Sequence, residues 1–224
     1  MIIDAIPYQP NLKTLMQRLH VKPGSGDARD LADLALQAQD VARPKVIFET
    51  GKIVDRGPDF VQIGGHTFTS HILAVNLQQA ATVYAYVATC GVELEDWALT
   101  LEDMLDIYWG EAIREAAVGT ALRALDNALA SLLPAAHLST MHPGSLPDWP
   151  LAEQRPLFDL LGNVKQAIGV ELTDSMLMVP TKSVSGISFP TDKAYYNCQL
   201  CEREDCPNRQ APYEPALYAE KYQL

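Results

Sequence analysis

Apolar positions recur at helical spacing from the start of the chain. Leu12, Leu15, Met16 and Leu19 fall at i, i+3, i+4 and i+7 behind Asn11, a good capping residue, which predicts a first helix. Lys22-Pro23-Gly24-Ser25-Gly26 interrupts the pattern, and no Gly-Lys-Ser/Thr follows to make it a phosphate loop. Asp27 is the predicted cap of a second helix, which turns Leu31, Leu34, Ala35, Ala38 and Val41 inward and stops before Pro44. Short β-type runs follow at 46–49, 52–55, 60–63 and 67–69, with turns expected at Gly51, Gly57-Pro58 and Gly64-Gly65.

Ser70 begins a short helix expected to reach residue 79, and TVYAYVAT at 82–89 reads as a buried strand closed by Cys90-Gly91. Helical periodicity then covers 93–108 and 111–133, the second stretch aligning Ile113, Ala117, Leu122, Leu125, Leu129 and Leu132. A strand is predicted at 137–141. Three prolines make 143–150 a rigid loop, because each fixes φ and removes a donor. A helix at 156–161 closed by Gly162, a turn at 164–168, and strands near 172–179 and 183–189 complete the pattern. The tail beyond Cys206 is polar and proline-containing and is expected on the surface. The chain shows no internal repeat, so one α+β unit over 1–224 is predicted, with 1–80 as a candidate N-terminal helical and β subdomain.

Composition narrows the function classes. The 224 residues carry a net charge of −11, a pI near 4.8 and 48% hydrophobic residues. Such an acidic balance disfavours nucleic acid and anionic membrane surfaces as partners. No apolar run approaches the roughly 20 residues of a membrane helix, and the N-terminus lacks the pattern of a signal peptide. A cytoplasmic setting is expected, where thiols stay reduced and clustered cysteines favour metal over disulfides.

Three of the four cysteines, Cys198, Cys201 and Cys206, fall in a C-x2-C-x4-C-P arrangement within a Cys-rich loop at 198–209. This spacing suits an iron–sulfur cluster, [4Fe–4S] by the similarity to ferredoxin runs, or zinc. Three thiolates leave a fourth position, for which Cys90, a histidine or an exchangeable small ligand are the alternatives. Arg203 and Arg209 flank the thiols and would offset cluster charge. His66, His71, His137 and His142 form no H-x-x-H or H-E-x-x-H pattern, and Ser183 and Ser185 form no nucleophile elbow.

His142-Pro143-Gly144 through Asp148-Trp149-Pro150, Leu172 to Ser175, Met178-Val179-Pro180, Ser183 to Gly186, and Tyr195-Tyr196 occur in this order. The series resembles the reactivation domain of cobalamin-dependent methionine synthase, and more closely its stand-alone relatives beside corrinoid methyltransferases. The resemblance is strongest over 138–196. It implies an α+β fold with a twisted antiparallel sheet flanked by helices. It also implies an S-adenosylmethionine site on Pro143, Gly144, Tyr195 and Tyr196, and an accessory role in reductive remethylation of a partner's cobalamin. Thr140 and Gly119 stand at the family's two charged ligand positions, which predicts weak or no S-adenosylmethionine binding.

Two functional expectations follow. In the first, a cluster near the tyrosines serves reductive reactivation of a corrinoid protein. In the second, the chain is a non-catalytic module with structural zinc that docks a methyltransferase subunit. Either way the cobalamin belongs to the partner.

Overall fold

The computed structural model describes residues 1–134, 137–192, 195–203, 205–206 and 209–222. Its elements in chain order are β1 (Ile2–Ile3), α1 (Leu12–Arg18), α2 (Gly26–Val41), β2 (Lys45–Arg56), β3 (Phe60–Ile63), β4 (His66–Thr69), α3 (His71–Asn76) and β5 (Thr82–Thr89). There follow α4 (Val92–Ala98), α5 (Met104–Leu132), β6 (His137–Met141), α6 (Gln154–Leu161), α7 (Val164–Ile168), β7 (Glu171–Leu172), β8 (Met178–Val179), β9 (Ser183–Thr191) and α8 (Pro215–Lys221). Contacts divide the chain into two compact units, each drawn from three segments. The first takes Met1–Ile47, Val87–Leu129 and Val164–Val184; the second takes Phe48–Tyr86, Ala130–Asn163 and Ser185–Leu224.

The first unit is mainly helical. Leu15, Leu31, Leu34, Leu94, Trp109 and Ile113 pack in one buried cluster, and the Tyr8 hydroxyl donates to the Ile113 carbonyl at 3.0 Å. Asn11 caps α1 as expected, its Oδ1 accepting from Thr14 N at 3.1 Å. The cap of α2 is Ser25, whose Oγ accepts from Ala28 N at 3.2 Å, and Asp27 lies inside the first turn. The break between α4 and α5 falls earlier than the pattern predicts. Asp103 accepts from Leu105 N at 2.8 Å and Asp106 N at 3.3 Å, so α5 begins at Met104 and continues straight through Gly110. Gly110 is tolerated mid-helix because Leu101 packs against it: a Cβ there would lie 2.8 Å from Leu101 Cδ1. β1 pairs antiparallel with β2 through Ile2–Ile47 and Ile3–Val46. The single strand expected near 172–179 is a hairpin, with β7 and β8 joined through Glu171–Val179 and Leu172–Met178.

The second unit holds most of the seven-stranded sheet, in the order β4-β3-β2-β5-β9-β6 with β1 on β2. β2–β3, β3–β4 and β6–β9 are antiparallel, and a bulge displaces β2 between Ile53 and Asp55. The expected α+β architecture of helices with antiparallel sheet is what forms. The turn expected at Gly51 does not form, and β2 runs through it as one strand. Here glycine serves packing: a Cβ would fall 2.3 Å from Ile63 Cγ2 and 3.3 Å from Val83 Cγ2. The tail also differs from expectation. It forms α8, followed by Tyr222, only 2% exposed, with its hydroxyl donating to Asn76 Oδ1 at 2.7 Å.

Filling the space above Gly51 forces neighbouring strands to shift. Gly51→Ala is expected to destabilise the protein by about 1–3 kcal/mol. The measurement is a lower urea midpoint at unchanged slope. Gly26→Ala, in helix α2 with nothing within 4 Å of its Cβ, should not lower the midpoint.

Candidate functional site

The proline-rich loop after β6 is fixed from within and from outside, all inside the second unit. Gly144 takes φ +81°, a conformation glycine adopts without strain, and its N–H donates to Trp149 O at 2.7 Å. Ser145 N and Oγ both donate to His142 O, at 3.2 and 2.6 Å. Trp149 is fully buried and meets Phe68 edge-on, with centroids 6.5 Å apart. Asp148 accepts from the Ser70 hydroxyl, from His71 N at 3.3 Å and from Ile72 N at 3.0 Å. Glu153 accepts from Thr69 N at 2.9 Å. The loop thus caps α3, supplying acceptors that the helix's first amides need.

His142 anchors the loop's entry. Burial holds its imidazole below the usual histidine range, so the ring is neutral and Nδ1–H donates to Ser185 O at 3.0 Å. Gly186 is required beside it. A Cβ there would lie 2.8 Å from Met141 O and 2.9 Å from both His142 Nδ1 and the Tyr86 hydroxyl.

The paired tyrosines run alongside β6. Tyr195 N donates to Ser139 Oγ at 2.8 Å, Thr140 and Tyr196 form a parallel bridge, and Asn197 Nδ2 donates to Ser145 Oγ at 2.5 Å. The structure therefore lays the Pro143-Gly144 segment and the Tyr195-Tyr196 segment side by side. Their side chains have different surroundings: Pro143 and Tyr195 are buried, whereas Gly144 and Tyr196 are exposed. Burial pushes the Tyr195 phenol far up, so it stays protonated. The Thr140 hydroxyl pairs with Ser188 Oγ at 3.0 Å, so a neutral hydroxyl pair occupies the position where the family resemblance leads one to expect an arginine.

Two concavities open in this unit. One, of about 880 Å3, is lined by His71, Asn76, Thr191, Asp192, Tyr195 and Lys221 among others. The other, of about 540 Å3, has Ser145 to Asp148 on one side and Leu200, Cys201 and Glu202 on another, with Tyr213 and Tyr218 completing it. The loop and the cysteine segment thus share one groove.

Cys198, Cys201 and Cys206 are half-buried free thiols; Glu204, Pro207 and Asn208 of the Cys-rich loop lie outside the described residues. Arg209 closes the loop. Its guanidinium donates to the carbonyls of Cys198 at 2.9 Å, Cys201 at 3.0 Å and Ala211 at 3.0 Å, and to that of Arg203. Gln210 N–H points to Cys198 Sγ at 3.4 Å. Among the described residues, no three or more His, Cys, Asp or Glu side chains are gathered so as to hold a metal ion. The expected iron–sulfur or zinc ligand set finds no support in this arrangement, and no electron-transfer step is built on it.

Cys90 belongs to the first unit. Its N donates to Lys182 O at 3.0 Å and its thiol to Gly91 O at 3.5 Å; burial first, then the Glu95 carboxylate, pushes the thiol up to about 12. It is held as a neutral, packed strand-end thiol. Nearby, Thr181 is fixed by Glu95, which accepts its N–H at 3.2 Å and its hydroxyl at 2.9 Å while pairing with Arg114. Burial opposes the Glu95 charge, but the bonds from Thr181 and Arg114 outweigh it and hold the carboxyl below its usual range.

Sequence reasoning passed over the bonds of Ser139 and Asp148, and it expected Arg209 to offset cluster charge where the structure has it binding carbonyls. Each bonds main-chain groups, which carry no residue signature. The one available signal was Asp148 among prolines, since a carboxylate in a rigid loop must find donors.

Residues 142–211 match the family model described as vitamin B12 dependent methionine synthase, activation domain. No curated protein matches by sequence. Among solved structures, the chain is similar to a crystal structure of the MetH reactivation domain bound to AdoHcy, with TM-score 0.61 and 18% identity, covering 88% of this chain and 80% of that one. The expected resemblance is thereby borne out, and the fold is that of the reactivation domain. No described helix is long and apolar enough to cross a membrane.

The contrast among the thiols is measurable. A thiol-specific reagent at pH 8 should modify Cys198, Cys201 and Cys206 in the folded protein and reach Cys90 only on unfolding, because a thiol pushed up to about 12 is almost wholly protonated there. Arg209→Met should speed modification of Cys198 and Cys201 by opening the loop, and equal rates would show that the guanidinium does not hold it.

Proposed function

We propose that this protein is an accessory module of a corrinoid methyltransferase system, which docks a corrinoid-carrying partner and supports recovery of its inactivated cofactor. The observation that carries this reading is the match of 142–211 to the activation-domain family, combined with a loop that is internally bonded and fastened to α3. In the related structure the domain holds AdoHcy. For this chain the Thr140–Ser188 hydroxyl pair supplies no charge to an amino-acid carboxylate, so S-adenosylmethionine binds weakly or not at all. Titration calorimetry with S-adenosylmethionine and S-adenosylhomocysteine checks this; low-micromolar affinity for either overturns the weak-binding reading.

The functional test mixes the protein with the oxidised corrinoid protein of its own system, a methyl donor and a reductant, and follows recovery of the cofactor spectrum. Recovery should require this protein. Gly144→Ala, which places a Cβ 2.9 Å from Leu151 Cδ1 at a positive φ, should lower recovery by about tenfold or more, equivalent to roughly 1.4 kcal/mol. Recovery at the same rate without the protein sinks the reading.

A second reading concerns the cysteine loop as a thiolate site for an iron–sulfur cluster or zinc. It is favoured by the Gln210 N–H directed at Cys198 Sγ, a bond that stabilises thiolate, and by the clamp of Arg209 on the loop's carbonyls. Protein purified without oxygen should then carry stoichiometric metal, and Cys198→Ala, Cys201→Ala and Cys206→Ala should each lose it. Full metal content in all three variants excludes these thiols as ligands.

A further inference from the structure

The turn between α4 and α5 and the start of α5, in the first unit, leave an unusual surface. Leu99, Met104, Leu105, Ile107 and Tyr108 are exposed by 78%, 86%, 45%, 43% and 56%. Met104, Ile107 and Tyr108 stand at helical spacing on one flank, with Leu105 turning to the next. Exposed apolar residues scattered singly mean little, but five within ten residues form a patch.

The patch is also ordered. Asp103 caps the helix through Leu105 N and Asp106 N, and its carbonyl accepts from Ile107 N at 2.9 Å. A preformed helix end loses little freedom on binding, which favours association. Its surround is acidic. Asp96, Glu102, Asp103 and Asp106 lie on or beside it in sequence, whereas Glu93, Glu95 and Glu111 are paired with Lys45, Arg114 and Lys182.

We infer that this helix end is a docking surface for a partner protein presenting an apolar face flanked by Lys or Arg. The acidic surround disfavours a second copy of the same chain, whose own carboxylates would be brought against it, and it disfavours anionic lipid for the same reason. Apolar contact supplies the holding energy, and opposite charge at the rim supplies orientation and rate. This surface is independent of the corrinoid reading, and either can fail alone.

The test uses the full chain and a helical peptide of leucine and lysine, patterned to be amphipathic, followed by fluorescence anisotropy. The protein should bind this peptide and should ignore both a leucine–glutamate peptide of the same pattern and a lysine-only peptide. Met104→Ser with Tyr108→Ser should weaken binding by about tenfold or more. Asp96→Lys with Glu102→Lys leaves the apolar side chains in place and should remove most of the salt dependence. Unchanged circular-dichroism melts establish folding, and if the serine variant fails to fold the charge-reversed variant decides. Equal affinity in all variants, or equal binding of the leucine–glutamate peptide, overturns the inference. So does a dimer, or binding to phosphatidylcholine vesicles, that the serine substitutions abolish.

Discussion

A single carboxylate organises the second unit. Asp148 receives the Ser70 hydroxyl and the amides of His71 and Ile72, three donors converging on two oxygens. A partly buried carboxylate is costly unless hydrogen-bonded, and the first amides of a helix are costly unless they find acceptors. Each need answers the other, and the bond joins residues far apart in sequence. α3 is only six residues long, too short to persist on propensity, and depends on such fixation. At its other end Asn76 accepts from Lys221 and Tyr222, which ties the end of α8 to α3. The loop, α3 and the tail therefore form one connected arrangement.

The second dependence is the hydroxyl ladder between β6 and β9. Ser139 meets Thr191 at 2.9 Å, Thr140 meets Ser188 at 3.0 Å, and Ser139 also accepts the amide of Tyr195. Small hydroxyl residues allow close approach of the Tyr195 segment, as bulkier ones would not. The same choice sets the chemistry. A strand edge furnished with neutral hydroxyls discriminates poorly for a charged amino-acid ligand, because charge-assisted bonds are roughly twice as strong as neutral ones. Gly186 completes the arrangement by leaving room for the neutral imidazole of His142.

Much of the architecture was legible where local pattern and packing agree. The strand Thr82–Thr89, the Asn11 and Ser70 helix starts and the strand His137–Met141 are read directly from apolar spacing and caps. Errors arose where tertiary packing overrode a local signal. Gly51 carries a turn signature, yet its missing side chain serves the close approach of Ile63. The gap expected between helical stretches 93–108 and 111–133 does not form, because Leu101 packs against Gly110 while Asp103 starts the helix earlier. Nor does local pattern disclose the division into two units, since each gathers three separated segments through contacts distant in sequence. The site was legible as motifs but not as bonds, because its acceptors and donors are largely main-chain.

The cysteine loop shows the limit of spacing as an argument. Spacing states which thiols can meet; it does not state what holds the loop while they do. Here Arg209 binds the carbonyls of Cys198, Cys201 and Arg203, which ties these described positions of the loop to one guanidinium. Such a clamp directs carbonyl oxygens toward the guanidinium, and sulfur is left free to face elsewhere. The amide of Gln210 lies 3.4 Å from Cys198 Sγ, while Cys201 borders the groove shared with Ser145 to Asp148. Cys201 therefore belongs to the same surface as the proline-rich loop. That shared groove, rather than the spacing itself, connects Cys201 to the function proposed for the loop.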